Sequence, residues 1–329
     1  MTSKYKQFDV PYTLRSWQER KSRVSVADLL LPINDSARDL PAGVEADCVE
    51  VGVVWRRALQ RRQTVIAFLG GHVIKEGLSL HLQDMLRRRW LTHVAGNGAV
   101  LVHDYELTVH GATSECVQEN LWAGCFGTWM ELCELNDAAN CARFTREGLG
   151  EGTGRRLARS YDQRGVGVIA AAYAASIPFT IHPLLGGDVH HGYADWASLG
   201  LAAQIDFRIF VRAVYDLAER GGLFIVFGSA VHAPEVFLKA LAWVQNVRQR
   251  PAAAFEIAVC DMYPLPSDWR QKEADEDSPD YYYRPWKTLL HRCVPPGGRS
   301  HYIQGRHRDV IPALWHCLNV AGGLGDESV

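Results

Sequence analysis

The densest group of titratable side chains lies between residues 182 and 191: His182, Asp188, His190 and His191. Imidazoles titrate near neutral pH and suit proton transfer. Imidazoles with a carboxylate are also ordinary metal ligands. Three readings are open for this segment. It holds a base, with His191 or His190 foremost and Asp188 beside them, that takes a proton from an alcohol or amine as a hydride departs; it holds a metal for hydrolysis; or its residues only bond loops together. A second group, Gly228, Ser229, Ala230, Val231, His232 and Glu235, follows another apolar run. His232 is a further acid–base candidate there, whereas Glu235 suits the first turn of a helix for dipole reasons alone.

Glycine pairs point to a different task. Gly70 and Gly71 precede His72, and Gly96, Asn97 and Gly98 precede a helical pattern. Glycines at such places let backbone amides approach a pyrophosphate at helix N-termini, and short strand-to-helix loops use glycine anyway. Lys75 is the lysine of the first of these loops and reads as a phosphate contact, an amine nucleophile or a solvated side chain. Asp104 or Glu106, near His103, suits a ribose hydroxyl. Gly305, with Arg306, His307 and Arg308, forms one more polar turn.

Such groups need a frame that gathers them. Residues 64–69, 91–95, 177–181, 223–227, 254–260 and 300–304 are short apolar runs without period-two alternation. Strands buried on both faces of a parallel sheet have this character. Helical patterns separate them at 78–90, 99–109, 199–220, 234–248 and 311–320. Residues 114–141 also read as helix, packed through Trp122, Phe126, Trp129 and Met130, then a glycine-rich break at 143–154 and a helix over 158–175. The alternation implies an α/β fold, a Rossmann-like parallel sheet with helices on both faces, whose ligands bind outside the strand C-termini. We read 1–46 as an N-terminal arm, 47–322 as a single domain and 323–329 as a tail.

Composition excludes some classes. The 329 residues carry 35 basic and 37 acidic side chains, a net charge of −2, which gives no basic field for nucleic acid. No apolar run approaches the roughly 20 residues of a membrane span, and the N-terminus lacks the apolar core of a secretory signal. The eight cysteines include no C-x-x-C pair. Cys116, Cys125, Cys133 and Cys141 read as buried apolar residues, which fits a reducing cytoplasm.

The motifs, in their order, resemble the deoxyhypusine synthase family. The loop from Gly70 to Leu78 is similar to that family's Ser-Asn-Leu-Ile-Ser-x-Gly-Leu loop at the NAD site. His93-Val94-Ala95-Gly96-Asn97-Gly98, with His103 to Glu106 after it, is similar to its Thr-Thr-Ala-Gly-Gly segment. Thr113-Ser114-Glu115 continues the match. The stretch 177–191 resembles its Pro-Ala-Leu-Thr-Asp-Gly-Ser segment, Gly228-Ser229-Ala230-Val231 its Gly-Gly-Gly-Val, and Tyr302 to Pro312 its last strand and helix. The resemblance spans roughly residues 45–320. It implies a deoxyhypusine synthase-like NAD-binding fold, NAD as cofactor, an amine substrate and a homotetramer. It also implies an NAD-dependent transferase or oxidoreductase. The family's imine-forming lysine falls at Ala233 here, and no lysine occurs between it and Lys239. The expected activity is therefore oxidation of an amine or alcohol, with group transfer in some form but no lysine imine relay. A non-catalytic NAD-binding scaffold and a metal-dependent hydrolase built on residues 182–191 are the alternatives.

Overall fold

The computed structural model describes residues 4–8, 10–11, 13–34, 40–160 and 165–320. The expected 323–329 tail lies outside them. In order the elements are β1 (Ser22–Ser25), α1 (Val26–Leu29), α2 (Ala42–Gln60), β2 (Thr64–Leu69), α3 (Gly71–Lys75), α4 (Ser79–Arg87), β3 (His93–Asn97) and α5 (Gly98–Val109). Then come β4 (Ala112–Glu115), α6 (Val117–Trp122), α7 (Cys133–Thr145), α8 (Leu149–Ser160), α9 (Val168–Ala174), β5 (Phe179–His182) and α10 (Trp196–Arg220). The chain closes with β6 (Gly222–Phe227), α11 (His232–Arg248), β7 (Phe255–Asp261), β8 (Arg299–Gln304) and α12 (His307–Val320).

Six strands form one sheet in the order β5-β3-β2-β6-β7-β8, and every pairing is parallel. Alternate residues of β2 serve opposite faces. Val65, Ala67 and Leu69 join a core with Val51 and Trp55 of α2, Val100 and Leu101 of α5, and Leu314 and Trp315 of α12. Ile66 and Phe68 join the other core with Phe210 and Val214 of α10 and Phe237 and Ala240 of α11. Both faces are apolar because both are covered, which is why these strands show no alternation. The α/β reading with helices on both faces holds.

Local assignments differ in five places, one of them the helix read over 158–175, where α8 ends at Ser160 and α9 begins only at Val168. The 1–46 segment is more than a lead-in: β1 pairs antiparallel with β4, Val24 opposite Thr113, and α2 already begins at Ala42. The 114–141 segment is not one helix; it is split by β4, the short α6 and a turn, and Trp122 and Met130 are 85% and 55% exposed. The glycine-rich stretch 143–154 is not a break, since α8 runs through it. A Cβ on Gly150 would lie 1.7 Å from the Phe179 carbonyl oxygen, so small residues there permit close docking of the helix on β5. Cys141 is exposed and Cys133 half-buried, unlike Cys116 and Cys125, which are buried as expected.

Candidate functional site at the strand C-termini

The chain lays down β2, β3 and β5 in one direction, then returns to place β6 against the other side of β2. This reversal is the topological switch point of doubly wound sheets, where successive loops part and leave a crevice. Its walls are the loops after Leu69 and Phe227, which are register partners. The Gly70 amide donates to the Phe227 carbonyl at 2.9 Å. A Cβ on Gly70 would meet the Ser229 nitrogen at 2.8 Å. Gly228 and Ser229 both have left-handed backbone, φ +70° and +57°. For serine that conformation costs about 1–3 kcal/mol and is held by its surroundings.

From the far side, α12 sends His307 across the end of β7. Its Nε2 is 3.0 Å from where a Cβ on Gly228 would stand. Burial lowers the His307 pKa, opposed by Glu76 and Asp261 and reinforced by His72. Two buried polar atoms here have no hydrogen-bond partner: Ser229 Oγ and His307 Nδ1. Unpaired buried polar atoms are uncommon and call for a ligand, a water or an ion. His72, one residue past the glycine pair, is exposed. The unpaired Ser229 hydroxyl and His307 imidazole are the groups here that could hold a dinucleotide, while Gly70 leaves room for the Ser229 backbone.

The neighbouring loop does not fit as expected. The Asn97 side chain caps α5, accepting from the Val100 amide at 3.2 Å. Gly98, read as a pyrophosphate glycine, faces a carboxylate of the protein: a Cβ there would be 1.9 Å from Asp188 Oδ2. That oxygen also accepts the Leu184 amide at 3.0 Å. Asp188 thus fills the N-terminus of α5 that a phosphate would use, and burial raises its pKa to about 6. Gly96 faces the Val100 side chain and Gly305 the Val310 side chain; both serve packing.

The 182–191 cluster does not come together as one site. His182 lies on the α10 face of the sheet, stacked on Phe68 at 5.6 Å and 3.2 Å from Thr180 Oγ1. His190 and His191 are 0% and 1% exposed, with no hydrogen-bond partner on any ring nitrogen. Their rings pack edge to face at 4.5 Å, and His191 Nε2 is 3.6 Å from Asp188 Oδ2, too long for a hydrogen bond. Burial pushes the His190 pKa down to about 3 and lowers that of His191. Both are neutral rings sealed from solvent, a correction to the expectation of an accessible base. Among the described residues no group of three His, Cys, Asp or Glu side chains is placed to hold a metal ion.

The remaining candidates divide. His232 begins α11, is half-buried, and has the Pro183 carbonyl beside it, so it ties the β6 loop to the β5 loop. Asp104 is not available to a ribose: its carboxylate accepts the Val168 and Ile169 amides at 2.8 and 3.0 Å. Glu106 is likewise engaged, with Arg20 on one oxygen and the Thr113 hydroxyl on the other. Arg20 drew no attention as sequence, and Thr113 only as part of the family resemblance. Each becomes relevant only once β1 and β4 pair beside α5. Lys75 ends α3 and lines a cavity described below.

No protein-family model matches the chain, and no curated protein matches it by sequence. Solved structures do. It is similar to ArgZ, an arginine dihydrolase of the ornithine–ammonia cycle in cyanobacteria, with 12% identity over 86% of this chain and TM-score 0.50. AgrE in ternary complex with ornithine and NAD+ gives 14% over 88% and 0.51. The chain spans about a third of each, 34% and 35%. A protein from Methanococcus maripaludis S2 assigned to the LOR/SDH group gives 12% over 89% of this chain and 74% of its own, with TM-score 0.50. A protein assigned as a deoxyhypusine synthase from Entamoeba histolytica aligns at only 0.42 and 9% and adds no support. At these identities the chain is similar to its neighbours in fold, an α/β domain with a parallel sheet flanked by helices.

Proposed function

We propose that the chain binds NAD across the β2–β6 crevice and is an enzyme that oxidises an amine or an alcohol. The observation that carries this reading is the pairing of a reversed strand order with two glycine-bearing loops that meet there, Gly70 against Gly228 and Ser229. The Ser229 hydroxyl and His307 Nδ1, buried and unpaired, would hold the dinucleotide. NAD, when bound, supplies the hydride acceptor. The fold shared with AgrE, solved with NAD+ and ornithine, is in keeping with this. The kinship to deoxyhypusine synthase rests on motif order alone, and a homotetramer is part of the same proposal.

A lysine relay does not belong to it. Ala233 is fully buried and Lys239 is ion-paired with Glu235, so no amine stands ready at the start of α11 to take up a transferred group. Calorimetry with NAD+ on the full chain, with mass spectrometry of small molecules released from it, tests the reading. We expect saturable binding that Gly70→Ala abolishes. Absence of binding to the wild-type chain refutes it.

A further inference from the structure

Gly70 and Gly71 face opposite ways. A Cβ on Gly70 would run into Ser229 in the crevice, whereas one on Gly71 would lie 3.1 Å from His103 Cδ2. Beyond His103 is a cavity of about 470 Å³ between α3, α5, β4 and the 189 region. This is a usual size for a small-molecule site. Val102, Phe126 and Val189 give it apolar walls, and Arg23, Lys75, Glu76, Ser114, Glu106 and Glu115 give it polar ones; Glu106 is paired with Arg20, and Glu115 accepts from Asn120 and the Gly127 amide.

The hydrogen bonds around His103 have only one consistent direction. Glu106, ion-paired with Arg20, can only accept, and it takes the Thr113 hydroxyl proton. Thr113 Oγ1, its proton committed, must then accept from His103 Nδ1, 2.8 Å away. His103 therefore carries its proton on Nδ1 and leaves a lone pair on Nε2. Burial pushes its pKa down to about 4, so the ring is neutral at pH 7. Arg20 and Glu106 are themselves buried, at 1% and 4% side-chain exposure, which fixes the chain from behind. In the same cavity Glu76 Oε2 and Ser114 Oγ are buried without hydrogen-bond partners, and Ser114 is held at φ +64°. Lys75 lines the same cavity.

We propose that this cavity is the substrate compartment and that His103 Nε2 takes the proton from a small 2-amino or 2-hydroxy acid whose carboxylate lies against Lys75 and Arg23. The proposal rests on the dinucleotide reading for its oxidant. The substrate N–H or O–H proton passes to Nε2. The electron pair of the adjacent C–H bond would leave with its hydrogen, as hydride, to NAD+, the oxidant of the proposed function. The C–N or C–O bond becomes a double bond, and the nicotinamide is reduced. Glu76 Oε2 accepts a second N–H where the substrate is an amine. Thr113 is a positioning residue, because it acts only through His103.

Nitrogen-15 spectra of the histidine side chains in the full chain at pH 7, assigned with His103→Asn, test the tautomer without substrate. We expect the neutral Nδ1–H form; an Nε2–H or doubly protonated His103 overturns the proposal. Reduction of NAD+ at 340 nm is then followed with the proteinogenic 2-amino acids and their 2-hydroxy counterparts as probes. We expect one class to react, His103→Asn to lower kcat about 100-fold or more, and Lys75→Met to raise KM about tenfold. Thr113→Val should lower kcat with KM unchanged, and Thr113→Ser should restore it. No reaction with the panel, or a His103→Asn kcat within about threefold of wild type, overturns it. Calorimetric NAD+ binding, measured separately, keeps failure of the dinucleotide reading distinct from failure of this one.

Discussion

The backbone nitrogen of Ser229 stands 2.8 Å from the point where a side chain on Gly70 would begin. Gly70 is therefore fixed by a contact between two loops that meet only because β6 returns to the side of β2. The obstacle is backbone, which cannot turn aside. Gly70→Ala should cost about 1–3 kcal/mol of stability through overpacking and should close the crevice. Urea unfolding and NAD+ calorimetry on the same protein check both effects.

Asp206 places a carboxylate at 0% exposure, where its Oδ2 accepts the Gly150 and Ile181 amides at 3.1 and 3.0 Å. Burial outweighs those hydrogen bonds and raises its pKa to about 7. An unfolded aspartate titrates near 3.9. Between those two values the folded chain holds a proton that the unfolded chain has lost, so stability falls as pH rises through the window and then levels off. Asp188, raised to about 6, adds to the same slope. Urea midpoints measured from pH 4 to pH 8 should decline, and Asp206→Asn should flatten the decline by about 4 kcal/mol.

The N-terminal segment is anchored by Arg20, whose guanidinium meets Glu106 of α5 in a buried ion pair. Removing one partner strands the other charge. Arg20→Met should lower unfolding stability by about 3–5 kcal/mol. The double variant Arg20→Met with Glu106→Leu should recover much of the loss, because no isolated charge remains. Chemical denaturation of the three proteins checks this.

Thiol accessibility follows burial. Cys141 is exposed, Cys133 and Cys317 are half-buried, and the other five cysteines are buried. Burial pushes the thiols of Cys48 and Cys293 up to about 12, so little thiolate forms at neutral pH. A colorimetric thiol reagent should label Cys141 first in the native chain, and Cys141→Ser should remove that fast phase.

The sequence by itself determined the layers. Runs such as 64–69 and 223–227 are apolar throughout because their strands are covered on both faces, and burial leaves its mark locally in residue type. Loops after those strands were legible for the same reason, since glycine and polar residues punctuate the ends. Which polar groups meet was not legible. Asp188 lies three positions from His191, yet its carboxylate turns to Gly98 on another loop. His190 and His191, adjacent and inviting as sequence, are sealed within the fold. His103, Thr113, Glu106 and Arg20 form a chain of hydrogen bonds only because β1 pairs with β4 beside α5. Side-chain periodicity reports the environment along one element. The chemistry of a site depends on strand order and loop path, which set distances between residues far apart in the chain, and only the tertiary structure decides those.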